Sequence, residues 1–143
     1  MTRINVIPVE ELSDKHLLAE FRELPRIPNA VKSLRFNCNN MPSEYTLGTG
    51  HVKFFYKRLG YLKSRYNELY AECLFRGFAV TYYYDLFEPL QSSDYLFGDY
   101  EPTDEAIVIN RERIIDRFPS DCRFTKRNIP LWVLRVMQRK LNT

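Results

Sequence analysis

Ser13-Asp14-Lys15-His16-Leu17-Leu18-Ala19-Glu20-Phe21-Arg22-Glu23-Leu24-Pro25-Arg26 carries the clearest structural signal in the chain. Ser13 suits a helix N-cap, and Asp14 favours the positive end of the helix dipole. His16 rather than Glu stands three residues after Ser13, so the reciprocal capping box is incomplete. At about 3.6 residues per turn, Leu17, Phe21 and Leu24 share one side, with Leu18 at its margin. His16, Glu20 and Glu23 fall opposite at i, i+4 and i+7, which makes an amphipathic helix with a polar ridge. Pro25 lacks an amide hydrogen and clashes with the preceding turn, so a kink or break is predicted just after Glu23.

Outward from this helix, residues 36–50 read as a loop, rich in Asn37, Asn39, Asn40, Pro42, Ser43, Gly48 and Gly50. Val52, Phe55, Leu59, Leu62, Tyr66, Leu69 and Cys73 recur every three or four residues. That spacing predicts one long helix from His51 to Arg76, with Gly77 as its stop. Residues 78–84 are aromatic and β-branched and suit a short strand. Residues 85–105 read as an irregular stretch packed through Phe87, Tyr95, Phe97 and Tyr100. A further helix is expected within 104–118, ended by Pro119, and Pro130 opens a last one from Leu131 to Leu141. The pattern predicts an all-α fold: a single compact domain over residues 1–143, with about three main helices and long irregular connections.

The composition fits that class. A chain of 143 residues with 45% hydrophobic and 27% charged residues reads as globular. Ten Tyr, ten Phe and one Trp suit an aromatic core, though such rings also stack on bases. Cys38, Cys73 and Cys122 are odd in number and widely spaced, which speaks against a disulfide framework or zinc site. His16 and His51 have no second ligand at metal spacing. Neither a secretory leader nor a membrane span is expected. The net charge of +3 hides a division: residues 111–143 carry nine basic and three acidic residues, whereas 77–110 carry seven acidic and no basic ones. Basic ends suit a polyanion, although an ordinary dipolar surface has the same arithmetic.

The front of the chain holds the chemistry. Thr2 in Met1-Thr2-Arg3 is small enough for the initiator methionine to be trimmed, leaving a threonine amine. An α-amine titrates at roughly 7.7–8.0, so near neutrality part of it is a nucleophile able to form a Schiff base. Glu23 between Arg22 and Arg26 offers a carboxylate beside two phosphate clamps. Taken singly, Glu23 also suits an i, i+3 pair with Arg26, His16 and His51 suit structural roles, and Arg113 with Arg117 suit a solvated helix face.

Several blocks, in one order, are similar to a known family. They are Thr2-Arg3-Ile4-Asn5, the run Asp14 to Arg26, Gly50-His51-Val52 with Phe54-Phe55-Tyr56, Ala71-Glu72-Cys73-Leu74 with Arg76-Gly77-Phe78, and Gly98-Asp99-Tyr100 before Pro102. On these the chain resembles the pyrimidine-dimer DNA glycosylases of the phage endonuclease V type. The resemblance implies an all-α domain whose N-terminal segment threads between helices. It implies a DNA repair glycosylase with abasic-site lyase activity. The Thr2 amine would attack C1′ of a damaged pyrimidine nucleotide, form a Schiff base and cut the strand by β-elimination, with Glu23 as the essential acidic residue. Arg22 and Arg26 would grip DNA beside the lesion, with Arg3 and His16 nearby and Arg113 and Arg117 as further DNA contacts. No metal or organic cofactor is implied. The partner is double-stranded damaged DNA, bound by a monomer in the cytoplasm of a bacterial or phage-infected cell.

The C-terminal part departs from that pattern. Where the family carries adjacent Trp and Tyr residues that help recognise the dimer, this chain reads Arg123-Phe124-Thr125-Lys126-Arg127, and Trp132 sits in an apolar run suited to core packing. Residues 36–45 form a shorter loop, and position 21, often tyrosine, is Phe21. Two alternatives follow: a glycosylase of altered lesion or modified-base specificity, or a non-catalytic damaged-DNA-binding protein on the same scaffold.

Overall fold

The computed structural model describes residues 2–120 and 122–141. It is helical: α1 (Asp14–Glu23), α2 (Arg26–Lys32), α3 (His51–Phe55), α4 (Leu59–Phe75), α5 (Asp104–Asp116) and α6 (Leu131–Leu141), with short 3-10 turns at Val9–Glu11 and Glu88–Leu90. The all-α class is as the sequence predicts, and the helices divide the chain more finely than three main elements. Met1, whose removal the sequence reading invokes, lies outside the described residues.

α1 begins where Ser13 Oγ accepts the His16 amide at 3.3 Å. It ends at Glu23 because Pro25 has no amide hydrogen to continue the ladder. Leu24 and Pro25 stay in the right-handed region, and Asn29 N bonds to Pro25 O at 3.1 Å, so α2 restarts at once. The apolar side of α1 packs on α4: Phe21 stacks on Tyr66 with ring centroids 5.0 Å apart, and Leu17, Leu24, Leu62 and Leu69 are fully buried beside them.

The predicted single helix from His51 to Arg76 is two helices. The ladder breaks at Arg58 (φ −126°, ψ 40°) because a distant segment takes over its hydrogen bonds. Leu59 N donates to Leu96 O at 3.0 Å, Tyr61 N to Gly98 O at 3.2 Å, and Gly98 N to Lys57 O at 3.0 Å. The approach requires glycine at 98, since a Cβ there would lie 2.5 Å from Lys57 O. α4 ends at the predicted stop: Gly77 is left-handed (φ +87°), with Gly77 N on Leu74 O and Phe78 N on Cys73 O.

Residues 78–84 form no strand. They run extended along α4 without a backbone ladder, held by side chains instead: Tyr83 N donates to the Tyr66 hydroxyl at 3.1 Å, and Tyr82 stacks on Tyr66. Among the described residues there is no β-strand, only an isolated bridge between Arg58 and Phe97.

A buried ionic cluster ties the C-terminal segment to the front of the fold. Arg76 bonds Asp14 and Glu72, both at 2.9 Å, and Arg127 grips Glu72 with two hydrogen bonds. Asp14 also accepts from Thr125 N at 2.9 Å and from the Thr125 hydroxyl. Trp132 is half-buried, stacked near Phe118 and donating to Glu11 Oε1 at 2.7 Å, which agrees with a packing role. No helix among the described residues is long and apolar enough to cross a membrane.

The N-terminal segment runs extended between the helices, as expected. Its groups pair with side chains from four of them: Arg3 N with Glu23 on α1, Ile4 N with His51 on α3, Ile7 O with Arg65 on α4, and Val6 N and Ile7 N with Asn110 on α5.

Candidate active site

Where the first residues reach the end of α1, a cavity of about 450 Å³ opens. It is lined by Arg3, Asn5, His16, Ala19, Glu20, Glu23, Arg113 and Arg117. The polar ridge of α1 forms one wall, the N-terminal segment the floor, and Arg113 and Arg117, one turn apart on α5 and at its C-terminal end, the other wall.

Glu23 is half-buried, and its Oε1 accepts the Arg3 amide at 3.0 Å. Thr2 is also half-buried, one residue before that amide. A residue spans at most about 3.6 Å of chain, so the Thr2 nitrogen lies within about 7 Å of the carboxylate. The other backbone groups of this segment are held as firmly. His51 Nε2 accepts the Ile4 amide at 2.9 Å, while His51 Nδ1 donates to Thr46 O at 2.7 Å. Tyr45 OH donates to Ile4 O at 3.0 Å, and burial raises its pKa, which keeps that donor protonated.

The cavity is cationic. Burial lowers the pKa of Arg3, and the neighbouring guanidinium groups of Arg113 and Arg117 lower it further, against partial relief from Tyr45 and Glu23. Neither Arg113 nor Arg117 forms an ion pair with a carboxylate among the described residues. Such crowding of like charges favours an entering anion, and a DNA phosphate has the right chemistry. Burial and Arg3 together depress His16, which favours its neutral form; Ser13 Oγ lies 2.8 Å from His16 Nδ1.

Of the residues read from the sequence, Thr2, Arg3, His16, Glu23, Arg113 and Arg117 are therefore brought to one end of the fold. Arg22 and Arg26 are not in the cavity. Both are exposed and flank the α1–α2 junction, Arg22 in the last turn of α1 and Arg26 at the start of α2; Arg22 Nε donates to Leu18 O at 3.3 Å beside a separate groove that includes Pro25 and Tyr83.

Sequence reasoning missed the support beneath the site. Glu20 was legible only as part of the ridge. It is 2% exposed and held by Arg65, with hydrogen bonds of 2.8 and 3.0 Å, and by Asn5 Nδ2 at 2.9 Å. Burial alone pulls the Arg65 guanidinium down, but the Glu20 carboxylate outweighs it and holds the pKa above its ordinary value. His51, read as structural, is the acceptor for Ile4. Asn110 carries no sequence signal at all.

Comparison with known proteins supplies the family. The family model for pyrimidine dimer DNA glycosylases matches residues 1–85, which include Thr2, Arg3, His16, Glu20, Glu23, His51 and Arg65. Asn110, Arg113 and Arg117 lie beyond the matched segment. With a threaded N-terminus, a carboxylate on the Arg3 amide and a cationic cavity in a sequence matched over more than half its length, the chain belongs to the pyrimidine dimer DNA glycosylase family.

Proposed function

We propose that the protein is a bifunctional repair enzyme, a glycosylase with abasic-site lyase activity, acting as a single domain and a monomer on double-stranded damaged DNA in the cytoplasm. The observation that carries this reading is the 3.0 Å hydrogen bond from Arg3 N to Glu23 Oε1, which keeps the first residues beside a carboxylate.

With Met1 removed, the Thr2 amine attacks C1′ of the damaged pyrimidine nucleotide. The C1′–N bond breaks and the base leaves with its electron pair. Glu23 stabilises the positive charge that builds on the sugar, then carries the proton that must leave the attacking nitrogen. The C1′–O4′ bond then breaks, O4′ takes the proton that Glu23 carries and becomes a hydroxyl, and the opened sugar is left as an iminium ion linking Thr2 to C1′. That cation makes the C2′ hydrogen acidic; its loss to a base expels the 3′ phosphate by β-elimination. Water then hydrolyses the imine, which frees the Thr2 amine and releases the cut strand as an aldehyde. Arg3, Arg113 and Arg117 hold phosphates in the cavity, Arg22 and Arg26 hold them outside it, and His16 completes the wall.

Borohydride reduces an iminium to a stable amine. It is expected to trap a covalent adduct on abasic or dimer-containing duplex when the N-terminus is verified as threonine. No adduct under those conditions overturns the reading. Glu23→Gln is expected to lower base release by at least about 100-fold while duplex binding survives; full activity removes the role assigned to Glu23. A non-catalytic damage-binding protein would give binding without adduct.

A second reading concerns the lesion. Where the resemblance implies adjacent Trp and Tyr, this chain has Phe124, which is buried, and Trp132, which is half-buried against Phe118 and donates to Glu11. This favours a glycosylase of altered lesion or modified-base preference. Cleavage rates on ultraviolet-irradiated, abasic and modified-pyrimidine duplexes decide it: a clear preference for the cyclobutane dimer rules it out.

A further inference from the structure

An extended segment normally takes its register from a ladder of backbone partners, and a slip of one residue turns every side chain to the wrong face. Residues 3–7 have no such ladder. The amides of Arg3, Ile4, Val6 and Ile7 all donate to side chains. Two of these acceptors, Glu23 and His51, each take a single amide of the segment. Asn110 is different.

We propose that Asn110 is a positioning residue that sets the register of the N-terminal segment, and through it the reach of the Thr2 amine. The proposal rests on Thr2 being the nucleophile. Asn110 is fully buried on α5. Its Oδ1 accepts from two successive amides, Val6 N at 2.6 Å and Ile7 N at 3.2 Å. Its Nδ2 donates to Asn5 Oδ1 at 2.7 Å. One carboxamide thus reads three consecutive residues, and its orientation is fixed because a flipped amide would face two N–H groups with a third donor.

The reading is then locked by a closed circuit. Asn5 Nδ2 donates to Glu20 at 2.9 Å; Glu20 holds Arg65; Arg65 Nη1 donates to Ile7 O at 2.5 Å; and Ile7 N returns to Asn110. Asn5, Glu20, Arg65 and Asn110 are all at most 4% exposed, so any break leaves buried polar groups without partners. Only glutamine carries the same carboxamide, on a stem one methylene longer. Aspartate keeps the double acceptor but sets an oxygen against Asn5 Oδ1, and alanine supplies neither.

The mechanical consequence follows from chain geometry. A slip of one residue moves the front of the segment by about 3.3 Å. Attack requires reacting atoms about 3–3.5 Å apart, and a misplacement near 1 Å is enough for about a 100-fold loss. Asn110 lies beyond the matched residues 1–85, whereas its partners in the circuit, Asn5, Glu20 and Arg65, lie within them.

The test uses Asn110→Ala, the isosteric Asn110→Asp in case the first fails to fold, and one glycine inserted between Arg3 and Ile4, alone and combined. The readouts are the borohydride trapping rate at saturating abasic duplex, the duplex dissociation constant and the melting temperature. Each single change is expected to slow trapping by about 100-fold with binding unchanged. The combination is expected to trap no more slowly than either alone, because a segment freed from its register absorbs the extra residue. Wild-type trapping in folded Asn110→Ala or Asn110→Asp, or penalties that multiply in the combined variant, overturns the proposal. Absence of an adduct from the wild type overturns the nucleophile reading instead. The register is then read without DNA, by amide hydrogen exchange: acceleration confined to Ile4–Ile7 in the Asn110 variants supports it, and uniform acceleration through α1 and α4 overturns it.

Discussion

His51 shows how one ring nitrogen can make a site depend on pH. Thr46 O can only accept and Ile4 N can only donate, so the ring must be neutral, with its proton on Nδ1. Burial depresses its pKa first; the Thr46 carbonyl opposes this, and Arg3 and Arg113 add to the depression. Its folded pKa lies below the unfolded value of about 6.5, so near and below that pH the unfolded chain binds more protons. The stability His51 contributes is complete above about pH 6.5 and is lost as pH falls through that value toward the folded pKa. His16, depressed by burial and Arg3, acts in the same direction. Urea unfolding between about pH 7.5 and pH 5 is expected to show declining stability, with a shallower decline in His51→Gln. An identical pH slope in that variant would remove His51 as a source. Because the acceptor lost is that of Ile4, trapping is expected to fall in the same range beyond what amine protonation explains.

At the scale of elements, the boundary between α3 and α4 is made by residues forty positions away in sequence. Gly98→Ala would set a Cβ 2.5 Å from Lys57 O, a backbone atom that cannot move without disturbing both helices. The substitution is expected to lower stability by about 1–3 kcal/mol, read as a drop in the urea midpoint with an unchanged slope. An unchanged midpoint would mean that the break does not depend on this close approach. The same boundary explains what could be read in the sequence. α1, its Ser13 cap, its end before Pro25, the Gly77 stop and α6 were legible because local spacing and capping residues specify them. The break at Tyr56–Arg58 was not, since the apolar period runs on through it and the bonds that interrupt it come from Leu96 and Gly98. Residues 78–84 misled for the reverse reason: β-branched and aromatic residues suit a pleated surface, but here they serve an aromatic stack on α4. In the site, Thr2 and Glu23 were legible as chemistry, and Arg3, His16, Arg113 and Arg117 through the resemblance. Asn110 was invisible, because a buried asparagine acquires meaning only from the backbone it touches.

For the whole molecule, charge is sorted by region. Arg3, Arg113 and Arg117 gather in the cavity, with Arg22 and Arg26 exposed outside it, while residues 77–110 carry the negative excess. Duplex binding is therefore expected to weaken steeply with salt, each phosphate contact contributing a slope of about 0.9 in log–log form. Arg117→Ala is expected to reduce that slope by about 0.9, and an unchanged slope would take Arg117 out of the interface. The threading of the chain start also has a consequence for biosynthesis. Residues 3–7 leave the ribosome first, yet their partners are Glu23, His51, Arg65 and finally Asn110. The Arg113 and Arg117 wall emerges just after Asn110. A nascent chain thus carries its amine for most of translation without the frame that aims it. On the proposed mechanism, the enzyme is armed only once Asn110 and the Arg113 and Arg117 wall have joined the fold, and a truncated product that keeps Thr2 and Glu23 lacks the frame that aims the amine.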